Sequence, residues 1–355
     1  MENIRRKNTL RRRGRRRKRK RKKRQLFPKM VFLMAAVTVL FCFGAKRTAF
    51  FFRENSGREA QIRTNAGSSI TETKDAGFAG GEQEINIDLE HLYSPYAILI
   101  EADSGKVLAE HNSEEKIYPA SLTKMMTAVL AIENTDDLSQ MVTLPYDIFP
   151  DLYAENASMA GFLPGEEASL EELLYGILLP SGAECCMVFA DRIAGSEEAF
   201  AAKMNEKAVE IGMCHTHFCN ATGLHDPAHY STVKDLSILL RYALQYDSFQ
   251  QAFSSSRYST HPTEQHPEGF TFYSTMFEHM DSREVVGGKI IGGKTGYTKE
   301  ALLCLASLAE VNGKEYILVT AKANGTHQTE QFHILDAIDV YNQIGKANSG
   351  NEKEA

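Results

Sequence analysis

Hydrophobic and polar positions divide the chain into three regimes. Met30–Ala45 is an apolar run without a formal charge, bounded by Lys29 and by Lys46 and Arg47. Residues 48–90, including "NAGSSITETKDAGFAGGEQE", are polar, rich in Gly and Ser and without periodicity, which predicts a flexible spacer. From about residue 91 the pattern becomes regular. "YAILIEADSGKVLAEHN" predicts two strands around an Asp103-Ser104-Gly105 turn. Met125–Ile132 reads as a strongly apolar helix. "SLEELLYGILLPSGAECCMVFADRIAG" predicts two helices broken at Pro180-Ser181-Gly182, because Pro restricts its predecessor and Gly frees the turn. "SEEAFAAKMNEKAVEIGM" predicts an amphipathic helix capped by Ser196, with acids in its first turn.

"LLCLASLAEVNGKEYILVTAKA" is two apolar strands about Asn312-Gly313, a strong hairpin signal. "TEQFHILDAIDVYNQIG" predicts a closing helix with Phe332, Leu335, Ile338 and Tyr341 on one face. Strands therefore open and close the domain, helices fill the middle, and a last helix packs back. That order is α+β with an antiparallel sheet rather than an alternating βαβ chain. The domain is expected over 91–345, followed by a polar tail at 346–355, and no internal repeat is visible.

Charge changes the picture at the N-terminus. The chain has 355 residues and a formal net charge of -6, yet residues 1–24 hold 16 Lys and Arg against the single acid Glu2. Alone, such a head favours nucleic acid or a solvated tail. The apolar run directly after it favours a basic cytoplasmic head (1–25) and a transmembrane anchor (26–47), by the positive-inside rule. The run is short for a hydrocarbon core of about 30 Å, but Leu26, Phe27 and the flanking Lys stems extend its reach. Everything after residue 47 is then extracytoplasmic, on a cell membrane with a single pass, and nucleic acid is not the expected partner. A cleaved signal peptide competes, but it would place bulky Phe43 where a small residue is wanted. A lipidated Cys42 fits less well still, behind bulky Phe41.

The six cysteines do not form a disulfide framework. Cys42 falls in the anchor, Cys185 and Cys186 are adjacent on a helix, and Cys304 lies in a strand. Only Cys214 and Cys219, in "CHTHFC", could pair. The same stretch hints at metal through His215 and His217, but alternating residues point apart and no second pair follows at zinc-site spacing. Free thiols are the expectation, and neither metal nor cofactor is expected.

Chemistry enters at "YPASLTKMMTA". Ser121 and Lys124 stand three residues apart on one helical turn and share a face. A serine hydroxyl becomes nucleophilic when something takes its proton, and a buried lysine amine can do so. A helix N-terminus offers N–H groups and partial positive charge for an oxyanion. S-x-x-K alone is weak, and a capping serine with a solvated lysine explains it equally. Two further pieces strengthen it: Ser181 in "LLPSGAE", presented by a tight turn, and "IIGGKTGYT", where Lys294, Thr295 and Gly296 enter the last strands. A phosphate loop is excluded there, since G-x-x-x-x-G-K-[ST] and a following βαβ unit are absent.

The three motifs, in this order, are the signature of penicillin-recognising serine enzymes. From about Ser94 to about Ile344 the sequence resembles the serine D-alanyl-D-alanine carboxypeptidases among the low-molecular-mass penicillin-binding proteins. The likeness is carried also by "MNEKAVEIGMCHTHFCNATGL" and "YSTVKDLSILLRYAL". The resemblance implies a β-lactamase/transpeptidase-like fold: an antiparallel five-stranded sheet with flanking helices plus a helical subdomain. It implies that Ser121 is acylated by the penultimate D-Ala of a peptidoglycan stem peptide, with Lys124 as base and Ser181 as proton relay. Lys294 would keep the field positive, and with Thr295 and Gly296 would bind the terminal carboxylate. Backbone N–H groups of Ser121 and Tyr297 would form the oxyanion hole. β-Lactam antibiotics would be covalent inhibitors. Related enzymes often append a β-rich domain and a C-terminal amphipathic helix, and here the N-terminal anchor would take over the tethering.

One functional position departs from the resemblance. The second motif is usually Ser-x-Asn, and here it is Ser181-Gly182-Ala183. A lost hydrogen bond of this kind is worth about 1 kcal/mol, which predicts altered substrate choice. Glu184 is either a substitute partner or an ordinary first-turn helix acid. Two alternatives stand beside the carboxypeptidase. A β-lactamase needs a general base, commonly in an E-x-x-L-N loop, which the sequence lacks. A weakly active penicillin-binding sensor is made thinkable by Ala183, but Ser121, Lys124, Ser181 and Lys294 are all retained.

Overall fold

A computed structural model describes residues 86–351. The basic head, the expected anchor and most of the spacer lie outside these residues. The elements follow in chain order. Strands β1 (Tyr96–Glu101) and β2 (Val107–His111) precede a short 3-10 turn at Ala120–Thr123 and helix α1 (Lys124–Glu133). Then come β3 (Met141–Thr143), α2 (Phe149–Ala154), β4 (Glu167–Ser169), α3 (Leu170–Leu178), α4 (Ala183–Ala194), α5 (Glu197–Ile211), α6 (Val233–Ala243) and α7 (Asp247–Ser254). The chain closes with β5 (Arg257–Ser259), β6 (Thr271–Tyr273), β7 (Glu284–Val285), β8 (Gly288–Thr298), β9 (Leu302–Val311), β10 (Lys314–Ala323) and α8 (Phe332–Asn351).

The main sheet is antiparallel in the order β2-β1-β10-β9-β8-β7, while β3–β4 and β5–β6 form two small hairpin-like pairs. The expected α+β architecture is therefore present, with six strands rather than five. The sixth, β7, is two residues long and adds to β8 through Glu284 and Val285. Two residues carry no alternation, so the pattern could not show it. The Asn312-Gly313 hairpin forms as expected, both residues having positive φ, 52° and 76°.

Alternation sorts the strands onto two cores. Ile98, Ile100, Ala306, Leu308, Ile317 and Val319 face the helical layer. Ala97, Leu99, Leu305, Ala309, Tyr316 and Leu318 face α8. Ile87 and Leu89, which the sequence reading assigns to the spacer, are buried in this second core, and Gln343 Oε1 accepts a hydrogen bond from the Asp88 amide at 2.9 Å.

Two features of α8 differ from expectation. Its buried face is Ile334, Ala337, Val340, Tyr341 and Ile344, whereas Leu335 is exposed and Phe332 and Ile338 are half-buried. The face is turned because buried His333 and Asp336 belong to it; Asp336 accepts from the Tyr93 and Ser94 amides at 2.8 and 2.9 Å. The helix also runs through Gly345 into residues expected as tail. A Cβ at 345 would lie 1.8 Å from the Val286 carbonyl oxygen, so this glycine permits close helix–strand approach rather than ending the helix.

Candidate active site

Pro119 and Ala120 lead into the short turn that carries Ser121. Ala120 has φ 47°, a left-handed conformation costly for a residue with a Cβ, and Ser181 has φ 68°. Two of the three motifs thus begin from strained backbone. Ser121 does not cap the helix, since the turn and α1 have no side-chain cap hydrogen bond. Its hydroxyl instead faces Lys124, whose Nζ lies 3.1 Å from Ser121 Oγ and donates to the Thr222 carbonyl oxygen at 2.7 Å.

Lys124 is buried, and that burial pulls its amine below the usual lysine range; Cys186, Glu184 and Cys185 act in the opposite direction. Lys294 is also fully buried. Burial, and then the charge of Lys124, lowers it well below the lysine range, and its Nζ donates to the Thr295 carbonyl oxygen at 2.9 Å. Two amines in one dry region cannot both hold protons cheaply. A neutral Lys124 can donate to Thr222 and still offer its lone pair to the Ser121 hydroxyl.

The Thr222 carbonyl is held by a knotted loop. Asn220 Oδ1 accepts from the Gly223 amide at 2.7 Å, its Nδ2 donates to the Leu224 carbonyl at 2.9 Å, and Thr127 Oγ1 donates to the Ala221 carbonyl at 2.6 Å. Gly223 has φ +80°, and a Cβ there would lie 1.9 Å from the Ala120 carbonyl oxygen. His229 supports the same turn. It is buried, its Nε2 lies 2.8 Å from Thr123 Oγ1, and its Nδ1 accepts from the Cys219 amide at 3.2 Å. Burial pushes this imidazole down to about 4, so it is neutral.

Ser121 and Lys124 open onto a cavity of about 500 Å³. Glu155, Asn156, Ala157 and Ser158 form one wall with Ala183, and Gly223, Leu224 and His225 form another. Tyr297 and Thr298 at the end of β8, Lys299 and Glu300 just after it, and His327 complete the mouth. Of the residues singled out from the sequence, Ser121, Lys124, Ala183 and Tyr297 line this space. Gly296 lies against the serine turn: a Cβ there would be 3.2 Å from the Ser121 amide nitrogen. Thr295 Oγ1 lies 2.6 Å from Thr275 Oγ1. Lys294, Thr295 and Ser181 are not in the cavity lining, and buried Ser181 Oγ has no hydrogen-bond partner among the described residues.

Sequence reasoning missed Thr222, Asn220, His229, His225 and His327. "CNATGLHD" was visible as a likeness, but nothing in it showed that a carbonyl would be the functional atom. His327, edge-on to Tyr297 with ring centroids 4.6 Å apart, gave no signal. Cys214 and Cys219 are unpaired thiols, and no group of three or more His, Cys, Asp or Glu among the described residues could hold a metal ion.

The sheet, helical layer and serine turn define a DD-peptidase fold. A DD-transpeptidase of Streptomyces superposes with a TM-score of 0.64 and 26% identity, covering 72% of this chain and 98% of that one. A family model described as D-alanyl-D-alanine carboxypeptidase matches residues 84–325, and the chain belongs to that family. It is 36% identical to D-alanyl-D-alanine carboxypeptidase DacF of Bacillus subtilis over 237 residues, which is 64% of this chain and 57% of the relative. It is 37% identical over 150 residues to DacC of Escherichia coli, another D-alanyl-D-alanine carboxypeptidase, covering 40% of this chain and 37% of the relative. The chain thus spans little more than half of the first relative's length.

Proposed function

We propose that the protein is a penicillin-sensitive serine D-alanyl-D-alanine carboxypeptidase acting on peptidoglycan stem peptides. The observation that carries this reading is the buried Lys124 amine 3.1 Å from Ser121 Oγ, at the base of an open cavity. Ser121 Oγ bonds to the carbonyl carbon of the penultimate D-Ala while its proton passes to Lys124 Nζ. The tetrahedral adduct collapses by breaking the amide C–N bond, and the leaving D-Ala nitrogen takes up a proton. Water then adds to the ester, giving the shortened peptide and restoring the Ser121 hydroxyl. Ser181 serves as proton relay, Lys294 supplies positive field under Thr295 and Gly296, and the Ser121 and Tyr297 amides receive the oxyanion.

Intact-mass measurement with a penicillin should show one acyl adduct, mapped to the peptide carrying Ser121. Ser121→Ala should abolish both the adduct and D-Ala release from a pentapeptide. Lys124→Ala should slow acylation by about 10²–10⁴, the usual worth of a general base. An adduct on any other residue would overturn the mechanism.

The reading includes an N-terminal anchor at 26–47, with residues 1–25 in the cytoplasm and residues 48–85 as a tether, since Ile87 and Leu89 belong to the domain's second core. What supports it is the polybasic run followed by an uncharged apolar segment. No helix among the described residues is long and apolar enough to cross a membrane. Membrane fractions should retain the full-length protein, and protease added outside the cell should remove the catalytic domain. A mature N-terminus near residue 46 would replace the anchor with a cleaved signal.

A further inference from the structure

Glu184 has no part in the steps above, yet it is buried completely beside them. It stands in the first turn of α4, directly after Ala183, which lines the cavity. Its Oε1 accepts hydrogen bonds from the Ala160 and Gly161 amides at 2.8 and 3.0 Å. Next to it, the Ala183 amide donates to the Ser158 carbonyl oxygen at 2.8 Å. These three bonds fasten the start of α4 to the segment whose residues 155–158 form the cavity wall. An ordinary first-turn acid needs only solvent and the helix dipole, and neither burial nor these partners follow from that role.

The other oxygen, Oε2, is buried and has no hydrogen-bond partner among the described residues. An orphaned carboxylate oxygen in a dry interior is costly unless a charge faces it. The groups that act on or are acted on by Glu184 are Lys124 on α1 and Cys185 and Cys186 on its own helix, while Lys294 on β8 and Glu197 at the start of α5 act on Cys186. Of these only the lysines can carry a positive charge, and Lys124 acts on Glu184 directly. Burial raises Glu184, while the Gly161, Glu184 and Ala160 amides and Lys124 oppose that rise.

We propose that Glu184 is a positioning residue for this site: one oxygen fixes the cavity wall, and the carboxylate's charge favours the protonated form of Lys124. The proposal rests on the acylation reading above. When Lys124 takes the Ser121 proton it becomes an ammonium in a dry pocket, and Glu184 is the counter-charge already in place. The proton inventory of the pair, rather than of Lys124 alone, then decides at which pH acylation begins.

The test is the pH dependence of acylation by a chromogenic cephalosporin, with peptide turnover measured alongside. Glu184→Gln keeps an acceptor for the Ala160 and Gly161 amides and removes the charge. Lys124 then loses its proton more readily, so the acidic limb moves to lower pH, by on the order of one unit. The plateau rate falls by up to about tenfold, because the weaker base stabilises the transition state less. Glu184→Asp keeps the charge and shortens the reach; its limb stays at the wild-type position while the peptide KM rises. Should Glu184→Gln not fold, the Asp variant alone decides: a limb that stays put supports the proposal and a limb that moves overturns it. A limb in Glu184→Gln that coincides with wild type overturns the proposal alone. A wild-type chain that takes no acyl label overturns the acylation reading and this inference together.

Discussion

Ala183 occupies the cavity wall with a side chain that cannot hydrogen-bond, fully buried between Gly182 and Glu184. Because Ala183 lines the cavity, an asparagine amide there would lie at the cavity wall. Ala183→Asn is therefore expected to raise peptide kcat/KM by about fivefold, the worth of about 1 kcal/mol, with little change in thermal stability; unchanged turnover would remove position 183 from substrate recognition. His229 gives a pH dependence instead. Its imidazole titrates near 4 in the folded protein against 6.5 ordinarily. Between those values the unfolded chain binds a proton that the native state refuses, so stability falls as pH drops from about 6.5 to about 4 and levels off below. The contribution is at most about 3 kcal/mol. His229→Gln retains a donor for Thr123 and an acceptor for Cys219, and its urea midpoint should vary less across this window. Some slope should remain, because burial pushes His333 down to about 3 with the same sign. At this scale the sequence exposed Ser121 and Lys124 through spacing, while Thr222 and His229 act through a carbonyl and a ring placed by distant loops, which spacing cannot encode.

Elements that touch at backbone distance show how the serine turn is held. Gly223 and Gly212 both have left-handed φ, +80° and +91°, but only Gly223 abuts another backbone; a Cβ at 212 meets nothing within 4 Å. Gly212→Ala should cost only the left-handed penalty of about 1–2 kcal/mol and leave acylation unchanged. Gly223→Ala must in addition push the Ala120 carbonyl, and with it Ser121, out of place. Acylation should drop at least tenfold, since small misplacements of a nucleophile are costly. Equal acylation in the two variants would show that the 220–224 loop does not position the serine. Helix and strand identity was readable wherever runs were long: β9, β10, α3, α4 and α5 match their patterns. The misreadings share one cause. The face of α8, the two-residue β7 and the burial of Ile87 and Leu89 are all decided by what packs against them, and a linear pattern does not record its partner.

Across the whole molecule, the sheet separates two cores, and the serine, its lysine and the loop that holds them belong to the helical side. Tyr341 lies at the centre of the opposite core, fully buried, its hydroxyl 3.0 Å from Ser307 Oγ and donating to the Tyr316 carbonyl at 3.4 Å. Replacing it with alanine leaves a large cavity and takes one hydroxyl partner from Ser307, which keeps the Leu318 carbonyl at 3.4 Å; the change should cost about 3–5 kcal/mol. Leu335→Ala on the exposed face of the same helix should cost little, which checks the rotation of α8. Because the strands are shared by both cores, loss of packing behind the sheet should lower the unfolding temperature of the entire domain rather than loosen α8 alone. The acylation rate per folded molecule of Tyr341→Ala, measured well below its transition, should nevertheless match wild type, since no residue at the cavity changes its neighbours. Unfolding followed by circular dichroism and by loss of penicillin labelling should give one coincident midpoint. Labelling that disappears at a lower temperature than the circular dichroism signal would mean that the two cores fail separately and that the sheet does not couple them.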